Sequence, residues 1–181
     1  NGSNLSDLAL VRATHTISLL RKHYPEGVLP DLSALDGRKS MSDNELRNAF
    51  LLCYLGVERR LPPYLFAFET EHRGSVLVRF LIENILESTP AAVLEDADEV
   101  FFLKHKLQSL YRHFNYSANR VLRNAWPDKI HPWINSRCDS DYWTVSAHRV
   151  QAIRWLIEER LNIIPEKLYS YALKRKDFSA N

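Results

Sequence analysis

A basic stretch between Lys104 and Lys129 carries the residue types that could bind a phosphate backbone. It holds six Lys or Arg residues and one Asp, and Tyr111, Tyr116 and Trp126 are interleaved with them. Basic side chains neutralise phosphates and release their counterions, while aromatic rings can stack on bases. The stretch therefore predicts a nucleic-acid interface, with DNA as the favoured ligand.

Residues 106–126 also have helix-turn-helix spacing, with a turn at 114–116 and a short second helix over 118–125. Asn and Arg on such a second helix are suited to base edges in a major groove. The nucleic-acid-binding residues predicted on and around these elements are Lys104, Lys106, Arg112, Ser117, Asn119, Arg120, Arg123, Asn124 and Lys129. A second basic cluster at the C-terminal end consists of Lys174, Arg175 and Lys176.

The alternative interpretation is a solvated helical face without a nucleic-acid role. Residues 81–100 carry six Asp or Glu residues and no Lys or Arg, so they could balance the basic stretch. In that case the chain is a protein-interaction or scaffold module with aromatic-lined grooves. The acidic and basic stretches could also pair between two copies and form a homodimer.

The sequence carries no motif for catalysis, metal binding or cofactor binding. With five Gly residues, it has neither a Walker loop nor a Gly-x-Gly-x-x-Gly fingerprint. Cys53 and Cys138 form no Cys-x-x-Cys pair, and His131 beside Cys138 supplies two zinc ligands at most. We therefore predict a non-enzymatic protein without a cofactor or a metal. Sparse cysteines and the absence of a long apolar run predict a cytoplasmic location away from the membrane.

Apolar residues recur with helical spacing along most of the chain, which predicts an all-α fold. One such stripe runs from Leu46 to Val57, and another runs from Ile153 to Ile164. Ser42 to Glu45 has the form of a capping box, and Thr89 and Ser117 are further candidate N-caps. Tyr142 to Val145 comes closest to a strand pattern, but four residues are too few to predict one.

Internal repeats predict a multi-helix bundle built from repeated helical half-units. Residues 20–32 align with 122–134 at an offset of 102, including Tyr24-Pro25 against Trp126-Pro127. Residues 79–90 align with 154–165. The order of half-units predicts two lobes, residues 1–97 and 98–181, with a central helix over about 98–114 bridging them.

The last third of the chain contains an aromatic pattern: Trp126-Pro127, Pro132-Trp133, Tyr142-Trp143 and the helix segment 155–159 (Trp-Leu-Ile-Glu-Glu). This pattern resembles an uncharacterised bacterial domain-of-unknown-function family of helical repeat modules. The resemblance covers residues 100–178 well and the first half loosely, where Asp31 replaces the tryptophan of the pattern. It implies a helical module and supplies no activity or site residues.

Two further features have a structural interpretation. Arg79 and Glu83 stand four residues apart, as Arg154 and Glu158 do, which predicts ordinary ion pairs on a helix surface. The aromatic residues Trp133 and Tyr142-Trp143 are expected to pin an extended loop onto the helical core, with an aromatic binding platform as the alternative.

Overall fold

A computed structural model describes residues 3–32, 40–62, 65–134 and 140–163 of the protein. Regular structure in these ranges is helical and includes no strand, which confirms the predicted all-α class. Within the same ranges, every helix is too short or too polar to cross a membrane. Eight α-helices follow one another there: α1 (Ser3–His23), α2 (Asp43–Tyr54), α3 (Thr70–Arg79), α4 (Pro90–Asp96), α5 (Glu99–Lys104), α6 (Gln108–His113), α7 (Ala118–Ala125) and α8 (Ser146–Trp155).

Side-chain caps start three of these helices at the predicted positions. The Ser42 hydroxyl accepts a hydrogen bond from Glu45 N, and Glu45 Oε2 accepts one from Ser42 N at 2.8 Å. Thr89 caps α4, which has a proline in its first turn. Ser117 accepts from Arg120 N at 3.3 Å and caps α7. These bonds satisfy N–H groups that have no partner inside the helix.

The two helices that run into an aromatic-proline pair end in the same way. α1 stops at His23 before Tyr24-Pro25, and α7 stops at Ala125 before Trp126-Pro127, as predicted. Proline cannot donate the next helical hydrogen bond and disfavours a helical conformation in the residue before it. The aromatic residue closes each last turn, with Tyr24 N bonded to Leu20 O at 2.7 Å and Trp126 N bonded to Leu122 O at 2.8 Å.

α3 and α8 share a second kind of ending. α3 continues into a π-helical turn over Phe80–Ile85, and α8 continues into one over Leu156–Arg160. In both turns a residue bonds to the carbonyl five positions back, at 2.9 Å, and a left-handed residue follows: Glu87 at φ 49° and Asn162 at φ 50°. The two segments thus share their backbone geometry. The repeat as a whole stays a prediction, because residues 164–181 lie outside the described ranges.

α3 and its π-helical turn lie at the centre of the hydrophobic core. α3 packs against α2 on one side and α7 on another. The side chains that it and its π-helical turn bury include Val76, Leu77, Val78, Phe80, Leu81 and Ile82. One continuous cluster of buried side chains extends from Leu19 to Ile130, so it contains residues from both sides of position 97. The division into two lobes remains a prediction.

The predicted central helix over 98–114 is wrong: the segment forms two short helices, α5 and α6. Lys106 has a left-handed backbone at φ 62°, and Leu107 N bonds to Phe102 O at 2.8 Å, which ends α5. A straight helix would spread Phe102, Leu107, Leu110 and Tyr111 over about 180° of its surface. The break lets all four side chains enter the core.

Gly74 of α3 lies directly against the Leu110 side chain of α6. A Cβ atom at this position would lie 2.5 Å from Leu110 Cδ1, and Leu110 is fully buried. We expect Gly74→Ala to lower the free energy of unfolding by about 1 kcal/mol, because overpacking outweighs the gain in helix propensity. In urea unfolding, the loss of unfolding free energy in the double variant with Leu110→Ala should be smaller than the sum of the losses in the two single variants. A loss equal to that sum would contradict direct contact between positions 74 and 110.

His105 makes the stability of the fold depend on pH. Its ring is buried between Phe101, at 4.5 Å, and Tyr54, at 5.8 Å. Burial, helped by the charge of Lys104, lowers the pKa of His105 from 6.5 to about 4. The unfolded chain therefore binds a proton more readily than the folded protein between these two values.

We expect the free energy of unfolding to fall by up to about 3 kcal/mol as the pH drops from about 6.5 to about 4. Above about pH 6.5 this contribution is constant. His105→Phe removes the proton site and should make the dependence shallower in urea titrations at several pH values. A dependence that is equally steep in this variant would show that other groups cause it.

Candidate functional site

The predicted second helix of the helix-turn-helix segment is α7. α6 has six residues, and Asn115 and Tyr116 in the turn are both left-handed, with φ of 54° and 57°. These two residues reverse the chain so that α7 packs against α3 and contacts α6. The core-facing side of α7 buries Val121, Leu122 and Ala125.

Asn119 lies inside the fold and not on its surface. Its side chain is 3% exposed, and its amide nitrogen donates to His131 O at 3.0 Å and to Ile134 O at 2.6 Å. Both carbonyls belong to the loop that follows α7, so this amide fixes the loop against the helix. The prediction that Asn119 reads a base edge does not fit this placement.

The C-terminal end of α7 is held by residues around the π-helical turn of α3. Arg79 donates from Nε to Ala125 O at 2.7 Å and also from Nη2 to the same oxygen. Glu83 Oε1 accepts from Trp126 Nε1 at 3.2 Å, and the Arg79 guanidinium lies 5.7 Å from the centre of the Trp126 ring. The predicted surface ion pair is therefore replaced by two contacts with α7. The cation also faces the negative end of the α7 dipole.

Arg120 and Arg123 line one cleft of about 600 Å³. Phe114 precedes α7 in the chain, while Pro127, His131 and Pro132 follow it. Glu71 at the start of α3 and Gln151 on α8 come from distant positions. Asn124 and Tyr142 complete the lining. The cleft thus combines two cations, a carboxylate and aromatic rings.

Two aromatic rings of the cleft are each stacked on a second ring. Tyr142 stacks on His148 at 4.0 Å and 12°, and His131 stacks on Trp133 at 4.7 Å and 6°. Trp133 also lies close to Tyr142, Trp143 and Trp155, at 6.1–6.3 Å. Tyr142 therefore belongs to the aromatic cluster of this loop and also lines the cleft, while the binding platform stays a prediction.

The first turns of α8 hold the segment that carries Tyr142. His148 Nδ1 lies 2.8 Å from Tyr142 O. Arg149 Nη1 donates to Trp143 O at 2.5 Å and to Thr144 O at 3.1 Å. The segment is a 3-10 turn over Ser140–Thr144, not a strand. These bonds fix the backbone beneath the cleft before any ligand binds.

Among the described residues, most of the other predicted contact residues lie outside the cleft. Asn124 lines the cleft, but its amide donates to Glu71 O at 2.7 Å, and the Ser117 hydroxyl is used in the cap of α7. Four basic residues are exposed outside the cleft lining: Lys104, Lys106, Arg112 and Lys129. Lys174, Arg175 and Lys176 lie outside the described residues.

Several cleft residues were not among the predicted contacts. Glu71 and Gln151 come from helices that are distant in the chain, and no local pattern marks them. Phe114 lies within the basic stretch and His131 just after it, but both have the residue types of ordinary core and loop positions. In the described ranges, no three His, Cys, Asp or Glu side chains are grouped so that they could hold a metal ion.

Residues 50–131 match the model of the DUF4046 family, described as a protein of unknown function. This finding confirms the expectation of an uncharacterised domain family. The matched segment contains α3, α7 and both cleft arginines, whereas Tyr142 and Gln151 lie beyond its end. Comparisons with curated proteins and with solved structures gave no match.

Replacement of Asn119 tests its role in the fold. We expect Asn119→Ala to lower the free energy of unfolding by about 2 kcal/mol, because two loop carbonyls lose their donor. Asn119→Asp should lower the free energy of unfolding by at least as much, because a carboxylate would face the same carbonyl oxygens. Chemical unfolding monitored by circular dichroism measures both changes. Wild-type stability in both variants would indicate that the Asn119 amide is dispensable for the fold.

Proposed function

We propose that the protein is a cytoplasmic, non-enzymatic nucleic-acid-binding module whose contacts centre on Arg120 and Arg123. The observation that carries this proposal is their shared position in a cleft that also contains Phe114, His131 and Tyr142. Guanidinium groups form charge-assisted hydrogen bonds with phosphates, and aromatic rings stack on bases. The combination suits a ligand that carries both groups.

Exposed basic residues outside the cleft support the same function. Lys104, Lys106, Arg112 and Lys129 are open to solvent and can neutralise further phosphates of a bound strand. Such contacts add affinity without sequence information. The net charge of the whole chain is +2, so attraction would be local to these residues and not a property of the whole surface.

The second candidate is a protein-interaction module, which includes a homodimer. α8 buries none of its side chains, and Val145, Val150 and Ile153 are each about half exposed. The corresponding segment of the predicted repeat, α3, is instead buried between α2 and α7. An apolar surface of this kind favours contact with another protein.

Salt dependence tests the proposed nucleic-acid contacts. Binding is measured by fluorescence anisotropy with labelled duplex DNA, single-stranded DNA and RNA at about 50 and about 200 mM salt. If each arginine neutralises one phosphate, the Arg120→Gln/Arg123→Gln variant should flatten the slope of log K against log salt. The expected change is about 1.4 for a single strand and about 1.8 for a duplex.

Arg59→Gln/Arg60→Gln serves as the charge-matched control, because both arginines are exposed and lie outside the cleft lining. It should bind almost as the wild type does. An equal loss of affinity in the two double variants would indicate non-specific electrostatic attraction. If none of the three nucleic acids binds, the proposal fails, and concentration-dependent mass measurements would then test the protein-interaction candidate.

A further inference from the structure

We infer that the cleft beside α7 receives an unpaired nucleotide, so that the ligand is a single-stranded segment of DNA or RNA. This inference rests on the proposed function and specifies its ligand. It differs from the helix-turn-helix expectation, in which α7 enters the major groove of a duplex.

The placement of α7 argues against reading a duplex. A recognition helix reads base edges with side chains that project into the groove. On α7 the Asn119 amide is buried, the Asn124 amide donates to Glu71 O, and the Ser117 hydroxyl caps the helix. Arg120 and Arg123 both line a cleft that other segments of the chain also line.

The cleft has the size and lining of a site for one small aromatic anion. Its volume of about 600 Å³ falls in the usual range of small-molecule sites. A base inside a duplex is covered on both faces by its neighbours and cannot reach a ring in such a cleft. An unpaired base can leave the strand and stack on an aromatic side chain.

The stacking rings are held rigidly before the ligand arrives. His148 covers one face of the Tyr142 ring at 4.0 Å and 12°, and its Nδ1 lies 2.8 Å from Tyr142 O. Trp133 supports the His131 ring in the same manner. A ring that is already ordered loses little conformational entropy on binding, so stacking contributes more fully to affinity.

Glu71 adds a second requirement to the ligand. A carboxylate in the same cleft repels a phosphate but accepts hydrogen bonds from the amino group of a base. The lining therefore matches a nucleotide that presents both a phosphate and an exposed base edge. A simple inorganic anion would be repelled by Glu71 and has no amino group that could donate a hydrogen bond to it.

The test compares a labelled strand of about 12 nucleotides with the duplex of the same sequence, in DNA and RNA versions. We expect the single strand of at least one chemistry to bind about 10-fold more tightly than the duplex. Tyr142→Ala should weaken single-strand binding about 10-fold, because stacking is lost, whereas Tyr142→Phe keeps the ring and should change it less than about twofold. Thermal unfolding confirms that both variants are folded.

The outcomes separate this inference from the proposed function. If the duplex binds as tightly as the single strand and Arg120→Gln/Arg123→Gln abolishes this binding, the cleft does not require an unpaired nucleotide. The proposed nucleic-acid function would then remain. Single-strand binding that survives in a folded Tyr142→Ala variant would also overturn it. If Tyr142→Ala does not fold, the single-strand to duplex ratio of the wild type decides. No binding to any strand removes both proposals together.

Discussion

The candidate site depends on the contact between α3 and α7. α7 has eight residues, and a helix of that length is not stable alone in water. It is held by burial of its apolar side against α3 and by the bonds from Arg79 to Ala125 O at its C-terminal end. Trp126 then bonds to Glu83, so the first residue after the helix is fixed to the same support. The positions of Arg120 and Arg123 therefore depend on side chains more than 40 residues earlier in the chain.

A second set of contacts fixes the two loop segments that help to line the cleft. The loop after α7 is bonded to Asn119, while the 3-10 turn that carries Tyr142 is bonded to His148 and Arg149 of α8. Each loop is thus connected to a helix by side-chain bonds to its backbone carbonyls. Such bonds reduce the freedom that irregular segments otherwise keep. Two loops without regular structure can in this way present aromatic rings at fixed positions.

Local signals in the sequence were sufficient for the fold class and the bounds of α7, because a cap at Ser117 and a proline after Trp126 act over one or two turns. The same reasoning failed for residues 98–114, where burial of four side chains required a break that helical periodicity does not reveal. It also misplaced Asn119 and Arg79. An asparagine amide can hydrogen-bond to a base edge or to a backbone carbonyl. An arginine four residues before a glutamate can bond to the end of a distant helix and not to that glutamate. The partners of both residues are set by tertiary packing, which also brings Glu71 and Gln151 to the cleft.

The π-helical turn after α3 constrains the composition of this segment more than its length. Four of its six residues are buried in the core, and Glu83 accepts the bond from Trp126, so most substitutions there would remove core packing or that bond. A π-helical turn, however, holds one residue more than an α-helical turn. Deletion of a single residue from this turn would allow a regular α-helical turn to form and would leave the residues beyond it in nearly the same orientation. The segment is therefore constrained more by its buried residue types than by its exact length.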